Sequence, residues 1–326
     1  MYRQWTVRYR ESPTECPSQG SAATAPAVIA AGDGVPRRTL LELARRGPSA
    51  GDPVAVERFE RLLDIVDGLG SCIVALSGGI DSSFLLAVAS PLLGERCLAL
   101  TAESAAVPAW DRADAATAAS VASRDGTRWR TIPTKELDDP RYARNPRSRC
   151  YFCKIEVYGA ASAIARAEGY AWVIDGTNAS DTTRIDRPGM TAASELGVRS
   201  PLAEAGITKE QLRLLARSIG VADWDRPASA CLASRIPFGE LITADRLRRV
   251  EAAELALRAL GFRQVRVRDF GSHARVEVEE VDLPALEARS AEIRSRIVEL
   301  GFESWSAAAY IGYGAGDAPP GGPNAN

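Results

Sequence analysis

Three stretches of the chain combine residue types and spacing that can do chemistry. The first is Ser77-Gly78-Gly79-Ile80-Asp81-Ser82-Ser83, joining an apolar run from Cys72 to a stretch carrying Phe84, Leu85, Leu86 and Val88. Two glycines let the backbone turn sharply with its N–H groups exposed, the serines add hydroxyl donors, and a helix start behind them favours negative charge. Such a loop suits phosphate. It lacks the lysine of a Walker A loop, which argues against a kinase or motor. The second stretch is Arg149-Cys150-Tyr151-Phe152-Cys153-Lys154, and the third runs from Pro227 to Arg235 around Cys231. A C-x-x-C pair alone is a zinc half-site, a redox dithiol or a chance spacing. A third cysteine among Pro, Ser and Arg shifts the balance, because three thiolates can hold an iron–sulfur cluster and leave one iron open to an extra sulfide. Structural zinc would need a fourth ligand from Cys16, Cys72, Cys97 or His273. Cys72 and Cys97 lie in apolar runs that read as buried strands, where free cysteine packs as a small hydrophobe.

These residues need elements to hold them. Phe59, Leu62, Leu63 and Val66 recur at helical spacing within 54–69. A second strand is expected at 97–101, a helix at 108–123, a strand at 129–133, a helix at 154–168 closed by Gly169, and a strand at 171–175 leading into Gly176-Thr177-Asn178. This alternation predicts an α/β fold, a parallel doubly wound sheet whose ligands sit at the carboxyl ends of its strands. The loop after Cys72 lies at one such end and Gly176 at another. Thr208-Lys209-Glu210-Gln211 is a capping box opening a helix that ends near Gly220. Beyond Pro237 the texture changes to a helix starting at Thr243 or Asp245, two strands around Gly271-Ser272, a helix over 283–300 and a last strand. We therefore expect a main domain over 51–239 and a smaller C-terminal α+β domain of antiparallel character over 240–313. Residues 1–50, rich in Ala, Pro, Gly and Ser, read as a disordered lead, although 37–46 has the leucine spacing of a short helix; 314–326 reads as a loose tail.

Composition bounds the function. A chain of 326 residues with 46% hydrophobic and 25% charged residues matches a soluble globular protein of more than one domain. A net charge of −2 supplies no general attraction to nucleic acid or to anionic membrane, so neither is expected as a partner. No apolar run approaches the roughly 20 residues of a membrane span, and the N-terminus lacks a signal peptide's apolar core. A cytoplasmic location is expected. Six cysteines are too few for a secreted disulfide scaffold of this length.

The spacing S-G-G-x-D-S resembles the signature of the PP-loop ATP pyrophosphatases. That resemblance implies ATP and Mg²⁺ as cofactors, with pyrophosphate held by Ser77, Gly78, Gly79, Asp81, Ser82 and Ser83, Asp81 turned toward Mg²⁺, and Thr101, Ser104 and Gly176 near the nucleotide by position alone. A longer set of motifs is similar to the LarE family: Gly176-Thr177-Asn178, Asp181, Arg184, Asp186, Arg187-Pro188-Gly189, Ser200-Pro201-Leu202, Trp224-Asp225-Arg226-Pro227 and Cys231-Leu232-Ala233-Ser234-Arg235-Ile236-Pro237. LarE proteins are ATP-dependent sulfur transferases in the synthesis of the nickel-pincer nucleotide cofactor of lactate racemase. The resemblance implies a small-molecule nucleotide substrate, a pyridinium dicarboxylate mononucleotide whose carboxylates become thiocarboxylates. In some members the cysteine aligned with Cys231 is sacrificed and left as dehydroalanine. Others carry a [4Fe-4S] cluster on three cysteines, and Cys150, Cys153 and Cys231 match those positions. A homo-oligomer and a separate sulfur donor are also implied.

The chemistry links these parts. A carboxylate is a poor electrophile; transferring AMP to it creates a leaving group, and a sulfur nucleophile can then attack. The substrate's anionic groups need cations and hydrogen-bond donors: Arg184, Arg235, Arg266 and Arg268 are the candidate cations and Ser234 a candidate donor, Arg266 and Arg268 lying on one face of the alternating run Val265-Arg266-Val267-Arg268. That face also reads as a solvated strand paired with Glu277 and Glu279. His273 reads as a solvated turn residue or a proton carrier. Trp110 and Asp111 line a pocket or pack at a helix start. Where LarE proteins show a Gly-Tyr-Arg stretch near the C-terminus, this chain has Gly312-Tyr313-Gly314. A tRNA thiolase on the same fold and a non-catalytic zinc or nucleotide-binding module are the alternative readings.

Overall fold

The computed structural model of the chain describes residues 37–182, 188–227 and 229–310. Helices α1 (Arg37–Arg46) and α2 (Pro53–Asp67) precede β1 (Cys72–Ala75), which feeds α3 (Ile80–Leu93). Then follow β2 (Cys97–Glu103), α4 (Ala109–Ala122), β3 (Arg128–Pro133), the single turn α5 (Pro140–Ala143), α6 (Arg149–Glu168) and β4 (Trp172–Ile174). Short helices α7 (Ala179–Thr182), α8 (Pro188–Glu195) and α9 (Pro201–Glu204) lead to α10 (Lys209–Ser218). The last part is α11 (Ala244–Ala259), β5 (Val265–Phe270), β6 (His273–Val278), α12 (Leu283–Ala288), α13 (Ser290–Glu299) and β7 (Ser304–Ala309).

The first sheet has the order β3-β2-β1-β4 and every pairing is parallel. Strand alternation builds its two layers. Cys72 and Val74 of β1 with Cys97 and Ala99 of β2 face the core of Phe59, Leu62, Phe84 and Leu215, whereas Ile73, Leu98 and Leu100 face Tyr158, Ala161 and Val173. Cys72 and Cys97 are adjacent in register and fully buried as free thiols. Helix α1 buries Leu40, Leu41 and Ala44 in the first of these cores.

The second sheet has the order β5-β6-β7 and its own core around Leu257, Val265, Val267, Val276, Ile293 and Phe302. Its expected antiparallel character holds for β5 and β6 only, because β6 and β7 are parallel. The helical connection over α12 and α13 carries the chain back to the starting end of the sheet, and a strand reached by such a crossover runs parallel. The single helix expected over 283–300 is two helices that break at Arg289. The helix expected at 154–168 starts five residues earlier, at Arg149, with Ser148 in the N-cap position. The C-x-x-C pair is therefore helical, its two cysteines three residues apart on the first turns of α6.

Candidate active site

Strand order reverses between β1 and β4, and the loops leaving their carboxyl ends flank the crevice there. Gly78 has φ of 79°, and a side chain on it would run into the backbone of Asp111 in α4. Gly176 meets the first turn of α3 so closely that a Cβ would lie 2.7 Å from the Ser82 nitrogen. Only glycine permits either approach. The loop is braced from within: Ser82 Oγ accepts from the Ser77 N–H at 3.2 Å, lies 3.1 Å from Ser77 Oγ and donates to the Gly79 carbonyl at 3.1 Å. Ser77 Oγ accepts from the Gly79 N–H at 3.4 Å, and the Ser83 N–H donates to the Gly79 carbonyl at 3.0 Å. Asp81 stands in the first turn of α3, where its carboxylate accepts from Lys209 Nζ at 2.7 and 2.6 Å and from Asn178 Nδ2 at 3.2 Å. A lone carboxylate beside a phosphate loop is the donor set Mg²⁺ uses, one acid together with substrate phosphates and water, and the Lys209 ammonium already shows that this carboxylate takes a cation.

The two cysteine stretches converge. Asn145, held at φ of 54°, donates from Nδ2 to the Ile236 and Pro237 carbonyls at 3.1 and 2.8 Å and accepts from Arg149 Nη1 at 2.8 Å. Arg149 also stacks on Phe238, 4.6 Å from its ring centre. Cys153 and Cys231 pack against one apolar cluster that includes Tyr142, Leu232 and Ile236. Burial pushes the Cys153 thiol up to about 12, with Lys154 pulling the other way and Cys231 and Cys150 adding to the rise. Among the described residues no three His, Cys, Asp or Glu side chains stand close enough to hold a metal ion together. The thiols suit an iron–sulfur cluster by chemistry, and they would have to draw inward to ligate one.

The Cys231 segment is docked on the 77–83 loop and on α4. Arg226 donates to the Gly78 carbonyl and pairs with Asp114, Ser229 Oγ donates to Asp111 Oδ2 at 2.7 Å, and the Leu232 N–H donates to the Ala106 carbonyl at 2.7 Å. Burial raises the Asp111 carboxyl above the ordinary aspartate range, while Ser229 and the nearby Arg226, Arg235 and Arg258 oppose the shift. Among the described residues its Oδ1 has no hydrogen-bond partner.

Arg235 does not face an open cleft. Its Nε and Nη2 grip Glu254 at 2.7 and 3.0 Å, and Nη1 donates to the Ala230 and Cys231 carbonyls and to Ser234 Oγ. Ser234 Oγ in turn donates to the Cys231 carbonyl at 2.7 Å, so both residues fix the Cys231 peptide. Arg266 and Arg268 are each 4% exposed, which removes the solvated-strand reading. Arg268 donates to Glu277 at 2.8 Å and to the Ser234 carbonyl at 3.1 Å, and Arg266 stacks on Tyr310 at 4.3 Å. Arg266 lies opposite Glu277 and Arg268 opposite Arg275, so Glu279 is not their cross-strand partner. Thr101 is buried and accepts from Trp129 Nε1 at 3.1 Å; Ser104 donates to Glu136 and accepts from the Ala106 N–H at 3.0 Å. His273 sits between Ser304 and Ser306 of β7 at 2.8 and 2.9 Å, tied to the sheet. Arg184 lies outside the described residues.

Asn145, Lys209 and Glu254 join the site without a motif in the sequence to mark them. Lys209 left one signal: a lysine in a first helical turn opposes the helix dipole and so asks for a local reason.

A parallel sheet with a glycine- and serine-braced loop at its switch point, carrying a separate small sheet, defines a PP-loop protein. No family model matches the chain. It is 42% identical over 221 residues to an uncharacterized protein of Synechocystis, covering 68% of this chain and 81% of that one. It is 34% identical over 229 residues to the pyridinium-3,5-bisthiocarboxylic acid mononucleotide synthase of Lactiplantibacillus plantarum, covering 70% and 82%. An uncharacterized protein of Methanocaldococcus jannaschii is 28% identical over 231 residues, covering 71% and 86%. The chain belongs to the LarE family of sulfurtransferases. No helix among the described residues is long and apolar enough to cross a membrane.

Proposed function

We propose that this protein is an ATP-dependent sulfurtransferase that adenylates a carboxylate of a pyridinium dicarboxylate mononucleotide and converts it to a thiocarboxylate, in the synthesis of a nickel-pincer nucleotide. The docking of the Cys231 segment on the phosphate loop, through Arg226 to Gly78 and Ser229 to Asp111, carries this reading. A sulfur source beside the pyrophosphate cradle is what attack on an acyl adenylate requires.

In the first step a substrate carboxylate oxygen bonds to the α-phosphorus of ATP and pyrophosphate leaves, held by Ser77, Gly78, Gly79, Ser82 and Ser83 with Mg²⁺ at Asp81. The thiolate of Cys231 then attacks the acyl carbon and AMP departs with the bonding pair. Removal of the Cys231 Cα proton breaks the Cβ–Sγ bond, so sulfur leaves on the acyl group as thiocarboxylate and dehydroalanine remains. A [4Fe-4S] cluster held by Cys150, Cys153 and Cys231 would supply a bound sulfide in place of the cysteine's own sulfur, renewed by a sulfur donor. Arg235, Ser234 and Glu254 position Cys231; Arg266, Arg268 and Arg184 are the cations for the substrate's anionic groups, which makes the small domain the substrate-binding unit. A cytoplasmic homo-oligomer fits this role.

Intact-mass measurement after one turnover tests the sulfur source. A loss of about 34 Da, one H₂S, located at Cys231 identifies the consumed nucleophile, whereas thiocarboxylate formed without mass loss moves the source to a bound sulfide.

A further inference from the structure

We propose that Lys209 is a built-in cation of the phosphate cradle: before nucleotide arrives its ammonium holds Asp81 in the metal's place, and with metal and nucleotide bound it releases Asp81 and takes phosphate oxygens. The proposal rests on the reading of the loop as a pyrophosphate cradle. It does not depend on the identity of the acceptor or of the sulfur source.

The geometry around Asp81 favours this role. Lys209 Nζ lies 2.7 and 2.6 Å from the two carboxylate oxygens, a symmetric contact of the kind a small cation makes. The Lys209 backbone is anchored at the start of α10. Its N–H donates to Ser180 Oγ at 3.0 Å, and the residue opens α10 behind a complete capping box of Thr208 and Gln211. The head is only partly covered, with 28% of the Lys209 side chain and 27% of the Asp81 side chain exposed, so the pair can open without unpacking a core. A lysine in this position works against its own helix, which favours acids in its first turn. Asp81 offsets that conflict and thereby fixes where the ammonium waits.

Asp81 and Lys209 cancel, and the positive N-termini of α3 and α10 are offset by Asp181, which shares the Asn178 amide with Asp81, and by Glu210 in the first turn of α10. A divalent metal bound to Asp81 would tip this balance and displace the ammonium by repulsion, and the flexible four-carbon stem lets Nζ swing to an incoming phosphate.

The test uses the full-length protein with Mn²⁺ and inorganic pyrophosphate as probes. In Lys209→Met, Mn²⁺ binding to the nucleotide-free protein, read by electron paramagnetic resonance, should tighten by about tenfold because its competitor is gone. Pyrophosphate binding in Mg²⁺, read by calorimetry, should weaken by about tenfold or more. These opposite signs are the signature; a plain structural ion pair would move both in one direction or neither, and either result overturns the proposal. Lys209→Arg should keep pyrophosphate binding within a few-fold. If Lys209→Met does not fold, Asp81→Asn serves instead: with Lys209 released, metal-free pyrophosphate should bind more tightly than to wild type, and unchanged or weaker binding overturns the assignment. Wild-type protein that binds no pyrophosphate at all would overturn the cradle itself, and this role with it.

Discussion

The rim of the parallel sheet and the small mixed sheet hold charge in different ways. At the rim, backbone does the positioning: Gly78 and Gly176 bring two loops and a helix start together, and the acid there, Asp81, is met by one partly exposed lysine. Between the small sheet, α11 and the turn after Cys231, side chains position one another. Arg235 grips Glu254 at 3% and 0% exposure, and Arg268 grips Glu277 at 5% and 1%. The rim keeps a partly exposed charge pair, whereas Arg235 and Arg268 sit in buried ion pairs whose remaining N–H groups hold the carbonyls of the Cys231 segment.

If that contrast is right, substitutions on the two sides should differ in kind. Glu254→Ala should have the largest effect, costing about 3–5 kcal/mol in urea unfolding because it strands the buried Arg235 guanidinium; pairing it with Arg235→Met should return most of that loss. An equal loss in single and double variants would mean that Arg235 acts through packing alone. Gly78→Ala forces a left-handed φ on a residue with a Cβ and drives that Cβ into α4, so it should cost roughly 1–3 kcal/mol and abolish nucleotide binding by calorimetry. Nucleotide binding that survives would remove the loop's close approach from the account. Asp111→Asn should have the smallest effect and the opposite sign. Burial raises this carboxyl, so the folded state is penalised above its folded pKa and not below the unfolded value. The variant should therefore be more stable by up to about 1 kcal/mol at neutral pH, with the gain vanishing near pH 3 in thermal melts. A loss of stability at neutral pH would show that Asp111 is held as a paired anion.

The same contrast explains what the sequence disclosed. Backbone devices leave local marks: glycine spacing marked the tight turn after β1, and Thr208 with Gln211 forecast the capping box that forms, while the leucine spacing at Arg37–Arg46 turned out to outweigh the disordered lead read over 1–50. Pairings between distant side chains leave almost none. Asn145 joins the two cysteine stretches across 91 residues, and Lys209 reaches Asp81 across 128, distances at which no periodicity speaks. The parallel β6–β7 pairing was inferable, since a helical crossover between strands dictates it, but the hairpin of β5 and β6 drew the reading toward an antiparallel sheet. Whether the Arg266 and Arg268 face was a binding face or a solvated one stayed open in the sequence, because alternation reports a strand's period and not what covers each side.

In the proposed reaction the cradle activates the carboxylate while Cys231, on a separately fixed segment, provides for the sulfur. Acceptor-dependent pyrophosphate release by Cys231→Ala, followed together with thiocarboxylate formation, separates the two roles. Pyrophosphate should still be released with the pyridinium dicarboxylate mononucleotide, and no thiocarboxylate should appear. Thiocarboxylate made at the wild-type rate, or pyrophosphate release lost together with it in a folded variant, would contradict that reaction.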